Sequence, residues 1–133
     1  MVVQAEQLQA IDELLARYGY SRIGLPRPVH EGVLNENFRV ETSAGPRFVR
    51  LHRPATTAAS LGLEHEALRW AGERGIPVNP PLAARNGATF HTIGGRLWAV
   101  SEAGARHFYD RPFLGLYIPF YPLVFALDPA KLK

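Results

Sequence analysis

Three places in the chain carry side chains whose type and spacing could do chemistry. Asn35, Glu36 and Asn37 form a polar tip between two extended segments. Asparagine tolerates left-handed backbone and brings its own amide donor. Such a tip is either a plain hairpin end, the commoner case, or a loop laid over anionic oxygens. The second place is Arg50, on the strand that follows. It is either an edge arginine turned to solvent or a bidentate partner for phosphate. The third is Glu64, which shares a helical face with Leu61, Leu68 and Ala71. A carboxylate on an apolar face needs a partner, because an unpaired buried charge is costly. Glu66 lies two positions on and cannot point the same way. With His65 and Glu73 it is read as a solvent residue.

Other chemistries lack their residues. Cysteine is absent, which removes thiolate zinc, disulfides and a cysteine nucleophile together. His30, His52, His65, His91 and His107 show no metal-ligand spacing such as H-x3-H. There is no Gly-x-Ser-x-Gly elbow and no Walker loop.

The elements that must position these residues follow from periodicity. Ala5, Leu8, Ile11, Leu14, Leu15 and Tyr18 recur at helical spacing, with Gly19 as a C-cap. IGLPRP then reads as a turn, since Pro26 and Pro28 lack amide donors. Extended segments are expected at 29–34, 38–42 and 48–51, the last two joined by the turn Ser43-Ala44-Gly45-Pro46. A second helix is expected over 58–74, ended by Gly75 and packed across the sheet. Short strands are expected at 82–84, 88–93 and 97–100, split by Asn86-Gly87 and Gly94-Gly95. The fold class is α+β: an antiparallel sheet of about five strands, an N-terminal helix and one further helix.

Length and charge set outer limits. The chain has 133 residues, 47% hydrophobic and 20% charged, as expected of one globular domain. Net charge is +3, from thirteen scattered Arg and two terminal Lys. That dispersal argues against a nucleic-acid partner. No run of 18 apolar residues suggests a membrane span, and the N-terminus lacks the basic region of a signal peptide. A cytoplasmic location is expected.

GVLNENFRVETSAGPRFVRLHRP, LEHEALRWAGERGIPVNPPLAARNG and GGRLWAVSEAGARHF occur in order across residues 32–108. Together they resemble the N-terminal lobe of the aminoglycoside phosphotransferase superfamily, which includes choline kinases and homoserine kinases. The resemblance is closest to the bacterial stress-response Ser/Thr kinase branch, which is homoserine kinase-like. That pattern has an Asn-bearing loop, a strand ending in Arg-Pro, a Glu-His on the next helix and a Gly-x-Arg-x-Phe after the last strand. The resemblance implies a protein-kinase-like N-lobe over 1–106 that binds ATP. It makes the loop 34–37 the phosphate loop. It makes Arg50 the cation for the α- and β-phosphates, in a place where the family usually has lysine. Glu64 becomes the αC-type carboxylate that holds this cation. The backbone at Ser101, Glu102 and Ala103 becomes the adenine-binding hinge, with Val49, Val100 and Trp98 as candidate apolar neighbours, although a tryptophan in such a strand is more often core than cofactor wall. This hinge is one residue shorter than the family pattern.

A kinase of this superfamily also needs a lobe with a His-Gly-Asp motif, an asparagine and a magnesium-binding aspartate. Asp110 and Asp128 are the only aspartates after Asp12, and neither has those neighbours. Residues 107–133 hold seven of the fourteen aromatics, four of the eleven prolines and both lysines, and the resemblance stops there. A truncated gene, a frameshift or an engineered tail would look like this. The expectation is an N-lobe fragment of an ATP-dependent kinase, inactive alone, with weak ATP binding and magnesium only if a second lobe is supplied. Residues 112–127 are then the surface for that lobe or for a second copy. The alternative is a non-catalytic binding or regulatory module with the same fold. A weaker third reading is an intact small enzyme with an unrecognised site.

Overall fold

A computed structural model describes residues 3–29 and 35–103. The expectations for residues 30–34 and for the tail beyond 103 lie outside these described residues.

The first helix, α1, spans Ala5–Ala16. The Gln4 amide donates to Gln7 Oε1 at 3.2 Å, which helps to close its N-terminus. At its end, Gly19 N bonds Ala16 O and Tyr20 N bonds Leu15 O, both at 3.0 Å. This paired closure requires a left-handed residue, and Gly19 supplies φ 77°. The second helix, α2 (Ala58–Glu73), starts at Thr57, whose hydroxyl accepts from Ser60 N. It ends the same way at Gly75, φ 78°.

Five strands form one antiparallel sheet: β1 Arg22–Val29, β2 Glu36–Thr42, β3 Gly45–Leu51, β4 His91–Ile93 and β5 Arg96–Glu102. Their spatial order is β1-β2-β3-β5-β4, with every neighbouring pair antiparallel. The expected α+β architecture is therefore present, with two helices and a five-stranded sheet.

Some boundaries differ from expectation, each for a physical reason. IGLPRP is not a turn but most of β1. An edge strand pairs on one side only, so it tolerates Pro26 and Pro28. The register with β2 slips between Ile23 and Arg27, where Gly24 has positive φ. Residues 82–84 are not a strand. Leu82 N bonds Val100 O and Ala84 N bonds Ala88 O, but no ladder forms. The 88–93 segment contributes only His91–Ile93, joined to β5 through Gly94 and Gly95, both with positive φ.

The core sits on one face of the sheet. Phe38, Val40, Val49, Leu51, Trp98 and Val100 pack there against Ile11, Leu14 and Leu15 of α1 and Tyr18 just after it. The helix that covers this face is α1, whereas α2 had been expected to cross the sheet. Buried Leu61 and Ala71 of α2 lie outside that cluster. α2 lies instead beside the irregular 76–90 segment: His65 bonds Thr89 Oγ1, its ring meets Phe90 edge-on, and Gly72 runs close to Val78 and Pro80.

Candidate nucleotide-phosphate site

Alternation along the strands sends a second set of side chains to the opposite face of the sheet. Asn37 pairs with Arg50, and Arg50 with Ala99; Arg39 pairs with Phe48, and Phe48 with Ser101. This face carries the one cation that the resemblance singles out. Arg50 is half-buried there, with Nε donating to Asn37 Oδ1 at 2.8 Å. Asn37 is only 7% exposed, and its Nδ2 has no hydrogen-bond partner.

The guanidinium sets the electrostatics around it. Burial pushes the Glu64 carboxyl up, and the Arg50 charge pulls it part of the way back. His52 is pushed down to about 3, by burial first, then by Arg50 and by His65. His65 is pushed down to about 4, by burial and then by Arg50. One positive charge is thus felt by Glu64 and His65 of α2 and by His52, which follows β3. Both rings are neutral at pH 7, and neither competes with Arg50 for an anion. Arg50 and Glu64 are not among the ion pairs that close within 4.0 Å in the described residues. His65 had been read as a solvent residue, but it is buried, because it turns under the helix onto Thr89. Glu66 and Glu73 are exposed, as expected, and both pair with Arg69.

The remaining predicted residues separate. Asn35 uses Oδ1 to accept the Arg53 amide at 3.0 Å, tying the loop end to the chain after β3. Glu36 points to the α1 side, where Oε1 accepts from Gln7 Nε2. At the proposed hinge, Ala103 N bonds Pro46 O at 3.3 Å. Ala103 O accepts from Arg39 Nη1, and Glu102 O from Asn79 Nδ2. Val49 and Val100, named as neighbours of the adenine, belong to the α1-covered core instead, and Trp98 lies in that core, its commoner reading. The period-2 pattern places them opposite Arg50. Apolar groups that share the Arg50 face include Phe48 and Ala99. Neither is among the neighbours expected for the adenine, although the same alternation puts both on this face.

Two helices and one five-stranded antiparallel sheet are the architecture of a kinase-like phosphotransferase fold. The fold likeness agrees. A spectinomycin phosphotransferase solved with ADP and spectinomycin matches 77% of this chain and 31% of its own, at TM-score 0.53 and 15% identity. Residues 26–112 match the phosphotransferase enzyme family, and the chain belongs to that family. Among curated relatives, a homoserine kinase of Caulobacter sp. strain K31 is 33% identical over 94 residues, 68% of this chain and 29% of the relative. A homoserine kinase of Rhodospirillum rubrum is 33% identical over 86 residues, 65% and 27% of the two chains. This chain therefore spans under a third of the length of the curated relatives it matches. Among the described residues, no helix is long and apolar enough to cross a membrane.

Proposed function

We propose that this chain provides the ATP-binding lobe of a phosphotransferase that acts on a small molecule or a Ser/Thr hydroxyl, and that alone it transfers no phosphate. The observation that carries the reading is the Arg50–Asn37 pair, on the sheet face turned away from the α1 core. A half-buried cation beside a buried amide donor suits a polyphosphate, which brings negative charge and acceptor oxygens together. ATP would supply the phosphoryl group. This lobe's residues would hold it: Arg50 and Asn37 at the phosphates, with Phe48 and Ala99 offering apolar surface to the base. Magnesium does not fit the described residues in the same way. No group of three His, Asp or Glu side chains converges among them. A metal and an acceptor-activating aspartate would have to come from a second lobe.

The open Arg50–Glu64 spacing favours a second reading, a binding module that keeps the fold without catalysis. Active kinases need their cation–glutamate pair closed. Two measurements on the purified 133-residue chain test the main reading. Titration with a fluorescent ATP analogue should give weak, saturable binding that Arg50→Ala abolishes. Phosphate release from ATP should not exceed a heat-killed control. Turnover above that control would refute the claim of inactivity, and undiminished binding by Arg50→Ala would refute the site.

A further inference from the structure

The kinase-like arrangement expected from the sequence assigns the orienting of the cation to Glu64. In the structure, the Arg50 Nε–H donates to a different side chain. Asn37 lies directly across from Arg50 in the β2–β3 ladder and accepts its Nε–H at 2.8 Å. Glu64 does not close on Arg50. We infer that Asn37 is the positioning residue for Arg50, fixing the plane of the guanidinium and holding a spare amide donor for the same anion. This inference rests on the phosphate-binding reading of the Arg50 face.

Three features support it. First, Nε–H can only donate, so the Asn37 amide must present its oxygen to it. That fixes the amide orientation and leaves Nδ2 as the group facing elsewhere. Second, Nδ2 is buried and lacks a partner in the structure. Buried amides are rarely left so, and an acceptor oxygen beside Arg50 would complete it. Third, the arrangement suits arginine and not lysine. An ammonium is one point charge, which a single carboxylate can hold. A guanidinium is a planar fork, and a bond at Nε orients the Nη edge without covering it. The change from the family's usual lysine to Arg50 therefore fits a change of holder, from a helix carboxylate to a neighbouring strand amide. The pair needs no helix movement, because its two residues are already in register.

The test uses the full chain and two readouts. The first is the Arg50 Nε–H resonance, assigned by its loss in Arg50→Lys. It should exchange slowly with solvent in the parent and in Glu64→Gln, and rapidly in Asn37→Ala. Asn37→Asp keeps an acceptor for Nε–H and should keep the slow exchange. It also guards against a folding failure in the alanine variant. The second readout is titration with a non-hydrolysable ATP analogue. Asn37→Ala should weaken affinity about tenfold, the scale of one lost charge-assisted contact. Asn37→Asp should weaken it as well, since it orients Arg50 but removes the donor and adds a negative charge. Glu64→Gln should change it by less than about twofold. Slow exchange that survives Asn37→Ala, or that disappears in Glu64→Gln, overturns the inference. If the parent binds no nucleotide, the phosphate-binding reading fails, while the exchange measurement still decides which residue holds Arg50.

Discussion

Asn37, Arg50, His52, Glu64 and His65 form one electrostatic neighbourhood, and its strongest consequence is a dependence of stability on pH. In the fold, His52 titrates near 3, held down by burial, then Arg50 and His65. His65 titrates near 4, held down by burial and then Arg50. In the unfolded chain both return to about 6.5. Above that value the rings are neutral in both states and their contribution is complete. Below it, the unfolded chain takes up protons that the fold refuses, so stability drains away as pH falls toward 4 and then 3. Each ring costs roughly 1.4 kcal/mol per pH unit within its window. The urea midpoint should therefore drop steeply between pH 7 and pH 5. His65→Gln should flatten part of that slope. A midpoint level across the range would mean that water reaches both rings.

At the scale of elements, two helices close with the same glycine geometry but in different surroundings. Gly75 has positive φ, and a Cβ there would meet open space. Gly19 has positive φ too, but a Cβ there would run into the Arg85 guanidinium. Arg85 also donates its backbone amide to Arg17 O, so this corner joins α1 to the loop before β4. Gly75→Ala should cost about 1–2 kcal/mol, the left-handed penalty alone. Gly19→Ala should cost more, and also loosen α1 against the sheet. Thermal unfolding of the two variants side by side checks this. Equal losses would show that the Arg85 side chain moves aside freely.

For the molecule as a whole, the sheet has one face committed to its own core and one that carries the Arg50–Asn37 pair. Phe38 belongs to the first, fully enclosed beneath α1. Phe38→Ala should cost about 3–5 kcal/mol, enough to unfold a lobe of this size. Arg50→Ala leaves the buried Asn37 side-chain carbonyl without its partner and should cost about 1–3 kcal/mol, less than Phe38→Ala, while nucleotide binding is lost. If Arg50→Ala were as destabilising as Phe38→Ala, the second face would be structural and not a binding surface.

Much of this was legible in the residues. Helical spacing from Ala5 to Tyr18 and from Leu61 to Ala71 identified both helices. Gly19 and Gly75 marked their ends, because few other residues adopt the left-handed turn. Alternation at Phe38, Val40 and Thr42 identified a half-buried strand, and the Asn-bearing loop, Arg50 and Glu64 pointed to the phosphotransferase family. The prolines of β1 misled, since a local rule cannot tell an edge strand from a turn. His65 looked like a surface residue, because nothing local reveals a Thr89 partner 24 positions away. Which helix covers the core depended on how the chain crosses the sheet. So did the partner of the Arg50 Nε–H: β2 and β3 set Asn37 directly opposite it, a pairing that only the register between strands reveals. Periodicity along the chain determined the elements, and register between strands decided which side chains lie beside Arg50.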